Sequence, residues 1–392
     1  MNNRQLFLNH NAQTSMAPMG LEIVKAEGCE LVDVNGKRYL DLIGGISVAN
    51  VGHRHPLVVE AIKKQLDDYL HLMVYGEFVQ SPQVHYAKLL TDNLPESLNT
   101  VYFTNSGAEA VEGAMKLAKR VTGRTEIIAF NNSYHGSTQG ALSIIGDEYW
   151  RNNYRPLLPG IQHLNYNSFP DLEWITDKTA CVIAETVQAE AGIIVPANTW
   201  IQAVAAKCKK EGALFILDEI QAGFGRTGKL WAFQHFDIIP DILLLGKALG
   251  GGMPLGAFIS DKKNMDVLTN NPVLGHITTF GGHPVCCAAG MAAFNYLISS
   301  NIIKEVNEKQ NYLLKLLSST GKKINSAGLL MAIEFKTHEE CKNIIDSCIK
   351  DGLITDWFLF ASNCLRIAPP LTITNLQLKQ AADILKKTIA NT

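Results

Sequence analysis

A carboxylate and an amine stand at the ends of two apolar runs in this chain. Leu214-Phe-Ile-Leu-Asp-Glu-Ile220 carries Asp218, and Asp241-Ile-Leu-Leu-Leu-Gly-Lys-Ala248 carries Lys247, 247 − 218 = 29 residues further on. A carboxylate at a buried strand end is costly unless it has a partner. A lone lysine behind such a run loses its charge readily, because burial favours the neutral, nucleophilic amine. That amine can condense with an aldehyde, and the anion can keep an aromatic ring nitrogen protonated. Pyridoxal phosphate (PLP) needs both. Taken singly, each residue has a plainer reading: Asp218 as a cap or salt-bridge partner, Lys247 as a lysine snorkelling from a strand end.

Other segments extend the pattern. Thr104-Asn-Ser-Gly-Ala-Glu-Ala110 joins a strand to a helix through small residues. Ser106, Gly107 and Ala108 there present backbone N–H groups at a helix N-terminus, where the dipole favours a phosphate. Ser106 followed by Glu109 also reads as a capping box, which needs no ligand. Asn131-Asn-Ser-Tyr-His-Gly-Ser137 is a polar loop after a strand, and Tyr134 in it is either a ring that stacks on a planar cofactor or a surface aromatic in a turn.

Gly223-Phe-Gly-Arg-Thr-Gly-Lys229 fits the phosphate-loop pattern of nucleotide hydrolases, but position 230 is Leu, so the magnesium-binding hydroxyl is missing. The acidic pair Asp218-Glu219 also comes just before the glycines rather than well downstream, which argues against an ATPase. His53, His55, His276 and His283 lack metal-binding spacing and cysteine partners. They read as hydrogen-bonding and loop-packing residues, with no metal.

These residues need a scaffold, and the apolar pattern supplies one. Pro56 starts a helix with Val58, Val59, Ile62, Leu66 and Leu70 at helical spacing. Strands are expected at 101–104, 126–130, 180–185, 213–218, 242–245 and 256–260, with a helix at 200–211. Such alternation gives a mostly parallel α/β sheet that binds ligands at its carboxyl edge. Residues 21–41 read as two short strands joined at Asn35-Gly36, a hairpin signal. After Pro284, helices are expected at 284–299, 302–318, 337–350 and 375–390, with strands near 328–335 and 364–367. The reading is a large domain over 51–283 and a small α+β domain built from 1–50 and 284–392.

With 392 residues, 47% hydrophobic and 18% charged, the chain has an ordinary globular composition, and its formal net charge of −2 argues against nucleic acid or an anionic membrane as partner. The eight cysteines contain no C-x-x-C pair and read as reduced, buried thiols, so a cytoplasmic protein is expected. No signal-peptide core and no run of membrane-spanning length is visible.

Together these segments resemble the class III (omega) aminotransferases of PLP fold type I, the aspartate-aminotransferase-like fold, nearest their acetylornithine and ornithine branch. The resemblance runs from Gly28 and Val51-Gly-His-Arg-His-Pro56 to Leu365-Arg-Ile-Ala-Pro-Pro-Leu371. The run from Leu217 to Lys229, followed by Gly246-Lys-Ala-Leu-Gly-Gly-Gly252, is specific to it. The resemblance implies that Lys247 joins the cofactor and shuttles protons, that Asp218 pairs with the ring nitrogen and that Gln221 lies near the phenolic oxygen. It implies that Tyr134 covers one ring face, with His135 beside it in the cofactor site, and that Ile220 packs on the other face. Ser106, Gly107 and Ala108 would hold the phosphate. Thr279, in Thr278-Thr-Phe-Gly-Gly-His-Pro284, resembles the threonine given to the neighbouring subunit's phosphate, which implies a homodimer with shared sites.

For substrates, the family likeness implies an amino donor and a 2-oxo acid, taken in turn by ping-pong transamination. Glu190 matches a glutamate that masks the arginine matched by Arg366 while an omega-amine is bound, then releases it to the carboxylate of 2-oxoglutarate. Tyr75, Ile46, Ser47 and Ser137 are lining residues by analogy. Ser137 is a departure: acetylornithine, ornithine and 4-aminobutyrate enzymes usually carry there an arginine that grips a carboxylate bidentately. Thr186 for proline and His283 for asparagine are milder changes. Donors in view are acetylornithine, ornithine, lysine and 4-aminobutyrate, with pyruvate an alternative acceptor. A PLP racemase or aminomutase would use the same Lys247 and Asp218 without a keto-acid acceptor.

Overall fold

The computed structural model of the chain describes residues 1–391. Helix α1 (Asn3–His10) leads to β1 (Ile23–Glu27), β2 (Glu30–Asp33) and β3 (Arg38–Asp41). Where the sequence suggests two strands there are three, because Gly28, at φ +58, turns the chain so that β1 pairs antiparallel with β2. The Asn35-Gly36 turn joins β2 to β3, with Asp33 accepting from the N–H groups of Asn35 and Lys37. Next come α2 (Gly44–Ser47), α3 (Pro56–Asp68) and α4 (Ser81–Thr91). Pro56 does open α3, but the helix stops at Asp68, and Leu66 and Leu70 are exposed rather than buried.

The central unit follows: β4 (Thr100–Thr104), α5 (Gly107–Thr122), β5 (Glu126–Phe130), α6 (Gln139–Ser143), α7 (Glu148–Arg151), β6 (Ile161–Leu164) and β7 (Thr179–Glu185). It continues through α8 (Asn198–Glu211), β8 (Leu214–Asp218), β9 (Ile242–Leu245), β10 (Gly256–Ser260) and α9 (Lys262–Asp266). Its seven strands lie in the order β4-β10-β9-β8-β7-β5-β6. Only β10 runs against its neighbours. Every residue of β7 is buried, as expected of a parallel strand covered on both faces. The edge strand β6, Ile-Gln-His-Leu, is only partly buried and too short to show a pattern, so the sequence reading passed over it.

The remainder is α10 (Pro284–Ser299), α11 (Ile302–Leu317), β11 (Ile324–Ser326), β12 (Met331–Glu334), α12 (His338–Lys350), β13 (Leu353–Ile354), β14 (Cys364–Ile367) and α13 (Asn375–Ala390). β13 pairs parallel with β3, so the two ends of the chain share the sheet β1-β2-β3-β13, and β11-β12-β14 forms a second small sheet. One apolar core joins Leu217 and Leu245 of the large sheet to Leu365 and Leu385 of the terminal elements. A second, with Val111, Ile127, Ile183 and Leu244, fills the opposite face beneath α5. Helix α10 packs on α3 and α4 and reaches the turn after β9. All eight cysteines are buried and unpaired.

Candidate active site

The carboxyl ends of β5, β7, β8 and β9 meet at one edge of the large sheet. Glu185 and Asp218, the last residues of β7 and β8, stand side by side in register. Asp218 Oδ1 accepts the Ile220 N–H at 2.9 Å, and Oδ2 lies 2.8 Å from His135 Nδ1. With the Nδ1–H of His135 directed at the carboxylate, His135 Nε2 is buried with no partner in the chain. Glu185 holds the loop from behind, its two oxygens accepting the N–H groups of Tyr134 (2.9 Å) and Ala189 (3.1 Å). Burial, then the charge of Asp218, pushes the Glu185 carboxyl well above the ordinary value. The cause is the usual one for a carboxyl shut away from water beside a second carboxylate.

Lys247 follows β9 with φ +47, a left-handed conformation that costs a non-glycine residue free energy and is seen mostly where function demands it. The turn is braced from beneath, where Tyr86 Oη donates to Leu249 O at 2.7 Å. Gly290 of α10 lets the helix approach, since a Cβ there would sit 2.2 Å from that same carbonyl. Lys247 Nζ donates to Gln221 Oε1 at 3.0 Å, and burial lowers its pKa against the opposing pull of Glu190 and Asp218. The shift is toward the neutral, nucleophilic amine.

Gly107, Ala108, Tyr134, His135, Ser137, Asp218, Ile220, Gln221 and Lys247 line one cavity of about 200 Å³. Ile220 is wedged where side chains are missing: a Cβ on Gly107 would lie 2.8 Å from its Cδ1, and one on Gly246 3.1 Å from its Cγ2. The residues present fit PLP. The first N–H groups of α5, at Gly107 and Ala108, have no acceptor within a helix and face the cavity. Gln221 Nε2 is a buried donor without a partner, suited to an anionic oxygen. An amine and a carboxylate complete the set.

Lys247 and Tyr134 also line a second, larger cavity of about 820 Å³, with Ile46, Glu190, Asp356, Trp357 and Arg366 among its walls. Glu190 and Arg366 form a buried fork, Nη1 to Oε1 at 2.9 Å and Nη2 to Oε2 at 3.0 Å. Burial alone would raise the Glu190 carboxyl, but the Arg366 charge and its hydrogen bonds outweigh it and hold the group below the ordinary value. The guanidinium lies over the Phe358 ring, 4.2 Å from its centroid. Asp356 accepts from Arg366 Nε at 2.8 Å, a contact that no motif announced.

Four sequence-selected residues stand apart, the buried Ser47 among them, since it lines neither cavity. Ser106 Oγ is committed to the Glu109 N–H at 3.2 Å and does not line the cavity; its part is to cap α5. The capping box is incomplete, because Glu109 reaches back to Asn105 instead. Tyr75 lines a separate cavity with Phe78 and Thr278, and Thr279 is exposed outside both Lys247 cavities. Glu185 was read only as part of a run, and its second contact, to Ala189, sits in a pattern of alternating polar and apolar residues that gave no separate sign of it. The glycine-rich Gly223–Lys229 segment is filled by protein. Arg226, fully buried, donates to Leu329 O (3.0 Å) and Pro369 O (2.6 Å) and bonds Asn50 Oδ1, tying three parts of the chain together.

A lysine and an aspartate at the carboxyl ends of adjacent parallel strands, below a helix N-terminus, define a fold-type-I PLP enzyme. The model of the family "Aminotransferase class-III" matches residues 11–389. An acetylornithine aminotransferase of Bacillus cereus is 37% identical over 94% of this chain and 95% of its own. A putrescine aminotransferase of Pectobacterium atrosepticum is 39% identical over 91% of this chain and 80% of its own. Among solved structures, an ornithine aminotransferase from Toxoplasma gondii, with PLP at partial occupancy in its active site, superposes with a TM-score of 0.92 at 28% identity, over 99% of this chain and 93% of that one. The chain belongs to the class III aminotransferase family and is a PLP-dependent aminotransferase.

Proposed function

We propose that this aminotransferase takes its amino group from an omega-amine of the acetylornithine and ornithine type and passes it to 2-oxoglutarate. One observation carries the reading: the Glu190–Arg366 fork is closed in the cavity beside Lys247. With the guanidinium engaged, a donor whose reacting carbon bears no carboxylate loses nothing on entry. A 2-oxo acid instead gains a bidentate partner once Glu190 yields. Relatives acting on acetylornithine and putrescine support the same donor class.

PLP, when bound, supplies an aldehyde for the incoming amine and a ring that draws electrons from the neighbouring carbon. Asp218 would hold a proton on the ring nitrogen, its carboxylate fixed in place by His135. Gln221 Nε2 would donate to an anionic oxygen, and the first turn of α5 would hold the phosphate. Lys247 Nζ, its pKa lowered by burial, would remove the proton from the carbon bearing the donor's nitrogen and return one on the cofactor's side. Tyr134, held by Glu185, shields the site from water on one side.

A panel of amines, scored by loss of the cofactor's visible absorption, tests the donor; acceptors scored by its return test the second half. Consumption of α-amino acids alone, with no omega-amine reacting, overturns the reading. Turnover without any keto acid would instead indicate a racemase or aminomutase.

The same proposal includes a homodimer that shares its sites. Exposed apolar residues (Leu70, Phe78, Val79, Val273, Ile277 and Phe280) flank Tyr75 and Thr279 in sequence, a face suited to a second copy. Sedimentation gives the mass, and mixing Lys247→Ala with Thr279→Ala subunits tests sharing, since hybrids regain one intact site. The eight buried thiols support a cytoplasmic setting.

A further inference from the structure

We propose that Asp356 recognises the far end of the donor, and that the donor carries a second ammonium there. This rests on the omega-amine reading and narrows it to donors with a second free amine, so that acetylornithine, whose far end bears an acylated nitrogen and a carboxylate, becomes the disfavoured member. Around Arg366 one positive charge faces two negative ones, since Glu190 takes Nη1 and Nη2 while Asp356 takes Nε. The cluster is therefore anionic by one unit. Both oxygens of Glu190 are occupied by Arg366, and Oε2 also accepts the Leu359 N–H at 3.1 Å. Asp356 spends only Oδ1; its Oδ2 has no partner among the described residues. Its side chain is 23% exposed, against 3% for Arg366, and it lines the cavity that Lys247 also lines.

The surplus carboxylate thus faces the space a donor must fill. Burial raises the Asp356 carboxyl and the Arg366 charge only partly opposes this, so a further cation beside it is favourable. Of the other cations lining the cavity, Arg366 is engaged by Glu190 and Asp356, Lys342 is paired with Asp346, and Lys350 is the last residue of α12. In the smaller adjoining cavity, which Lys247 and Tyr134 also line, Ser137 offers a hydroxyl shared with Tyr134 Oη at 3.2 Å. A donor ending in an ammonium is matched, one ending in a methyl group is tolerated, and one ending in a carboxylate meets an anion. When Glu190 yields to a 2-oxo acid, Asp356 also keeps the guanidinium aimed by its Nε edge.

The test uses the PLP-loaded enzyme and three donors at each chain length from four to six carbons: the diamine, the monoamine and the omega-amino acid. Single-turnover loss of cofactor absorption gives the efficiency for each. Wild type is expected to rank diamine above monoamine above amino acid. Asp356→Asn keeps an oxygen for Arg366 Nε but loses the charge, so the diamine-to-monoamine ratio falls about tenfold or more, the size of one charge-assisted hydrogen bond. Ser137→Arg, a second variant placed in the smaller adjoining cavity, shifts preference toward the amino acid. A merely structural Asp356 lowers all donors together and leaves the ratio unchanged, which overturns the proposal. So does a wild-type enzyme that prefers the amino acid. If omega-amines react without charge discrimination, this proposal alone falls; if no omega-amine reacts, the donor reading falls and takes it along.

Discussion

Replacing Asp218 by asparagine keeps the side chain's shape and removes its charge. The amide oxygen can still accept the Ile220 N–H, but the group now facing His135 Nδ1 is an NH2. His135 must then carry its proton on Nε2, the buried atom that has no partner. Nε2 is unmatched in either tautomer, so what the variant loses is the charge-assisted hydrogen bond to the carboxylate, worth about 1.5–3 kcal/mol. Against this, Glu185 beside it is relieved of a neighbouring negative charge. The expected net loss of stability in the cofactor-free protein is about 1–2 kcal/mol, read from urea unfolding. The catalytic loss is far larger, because an uncharged amide cannot hold the ring nitrogen positive. Removing one such preorganised group costs roughly a hundred- to a thousandfold in rate. Single-turnover loss of cofactor absorption with protiated and deuterated donors reads this out, and the isotope effect should rise as proton removal becomes fully limiting. Proton removal within about threefold of wild type, well under 1 kcal/mol in barrier, would refute the reasoning. So would a stability loss above about 4 kcal/mol, which would make Asp218 a structural residue first.

Cofactor uptake by the apo-protein should quicken with rising pH and level off below pH 10.5, the value of an ordinary lysine, because burial lowers the Lys247 pKa and neutral amine accumulates earlier; stopped-flow absorbance follows it, and borohydride reduction with peptide mapping should mark Lys247 in wild type and nothing in Lys247→Ala. Glu190→Gln should lower omega-amine efficiency relative to glutamate by about tenfold, and should destabilise by roughly 2–4 kcal/mol, less than full loss of a buried partner because Asp356 stays on Arg366. As the folded Glu190 carboxyl lies below 4.5, that stability is present above pH 4.5 and is lost as pH falls through the folded value, so the gap between wild type and variant should close in acid. Gly113→Ala should cost about 1–3 kcal/mol in urea unfolding, since the new methyl would lie 2.4 Å from Phe258 Cε1 in a packed face.

Most of the large sheet was readable in the sequence because its strands are covered on both faces. Ile242–Leu245 and Thr179–Glu185 are wholly buried, and burial of that kind leaves uninterrupted apolar runs. The edge strand Ile161–Leu164 and the extra N-terminal strand Ile23–Glu27 face solvent and carry no such run. The same distinction governs the site. Asp218, Lys247 and the start of α5 are legible because each ends or begins an element, where polar groups interrupt a strong pattern. Asp356 lies in the short link between β13 and β14, and Glu185 in a run known only by its likeness to others, so neither declared its contacts.

Which residue types can form the bond to the cofactor, hold its ring nitrogen positive and bind its phosphate was settled by the chain's order of amino acids, since that chemistry belongs to the side chains themselves. Who meets whom was settled by folding. Asp356 and Glu190 converge on Arg366 from segments 356 − 190 = 166 residues apart. Charge balance at a point depends on distances, and distances between remote segments exist only once the sheets have packed.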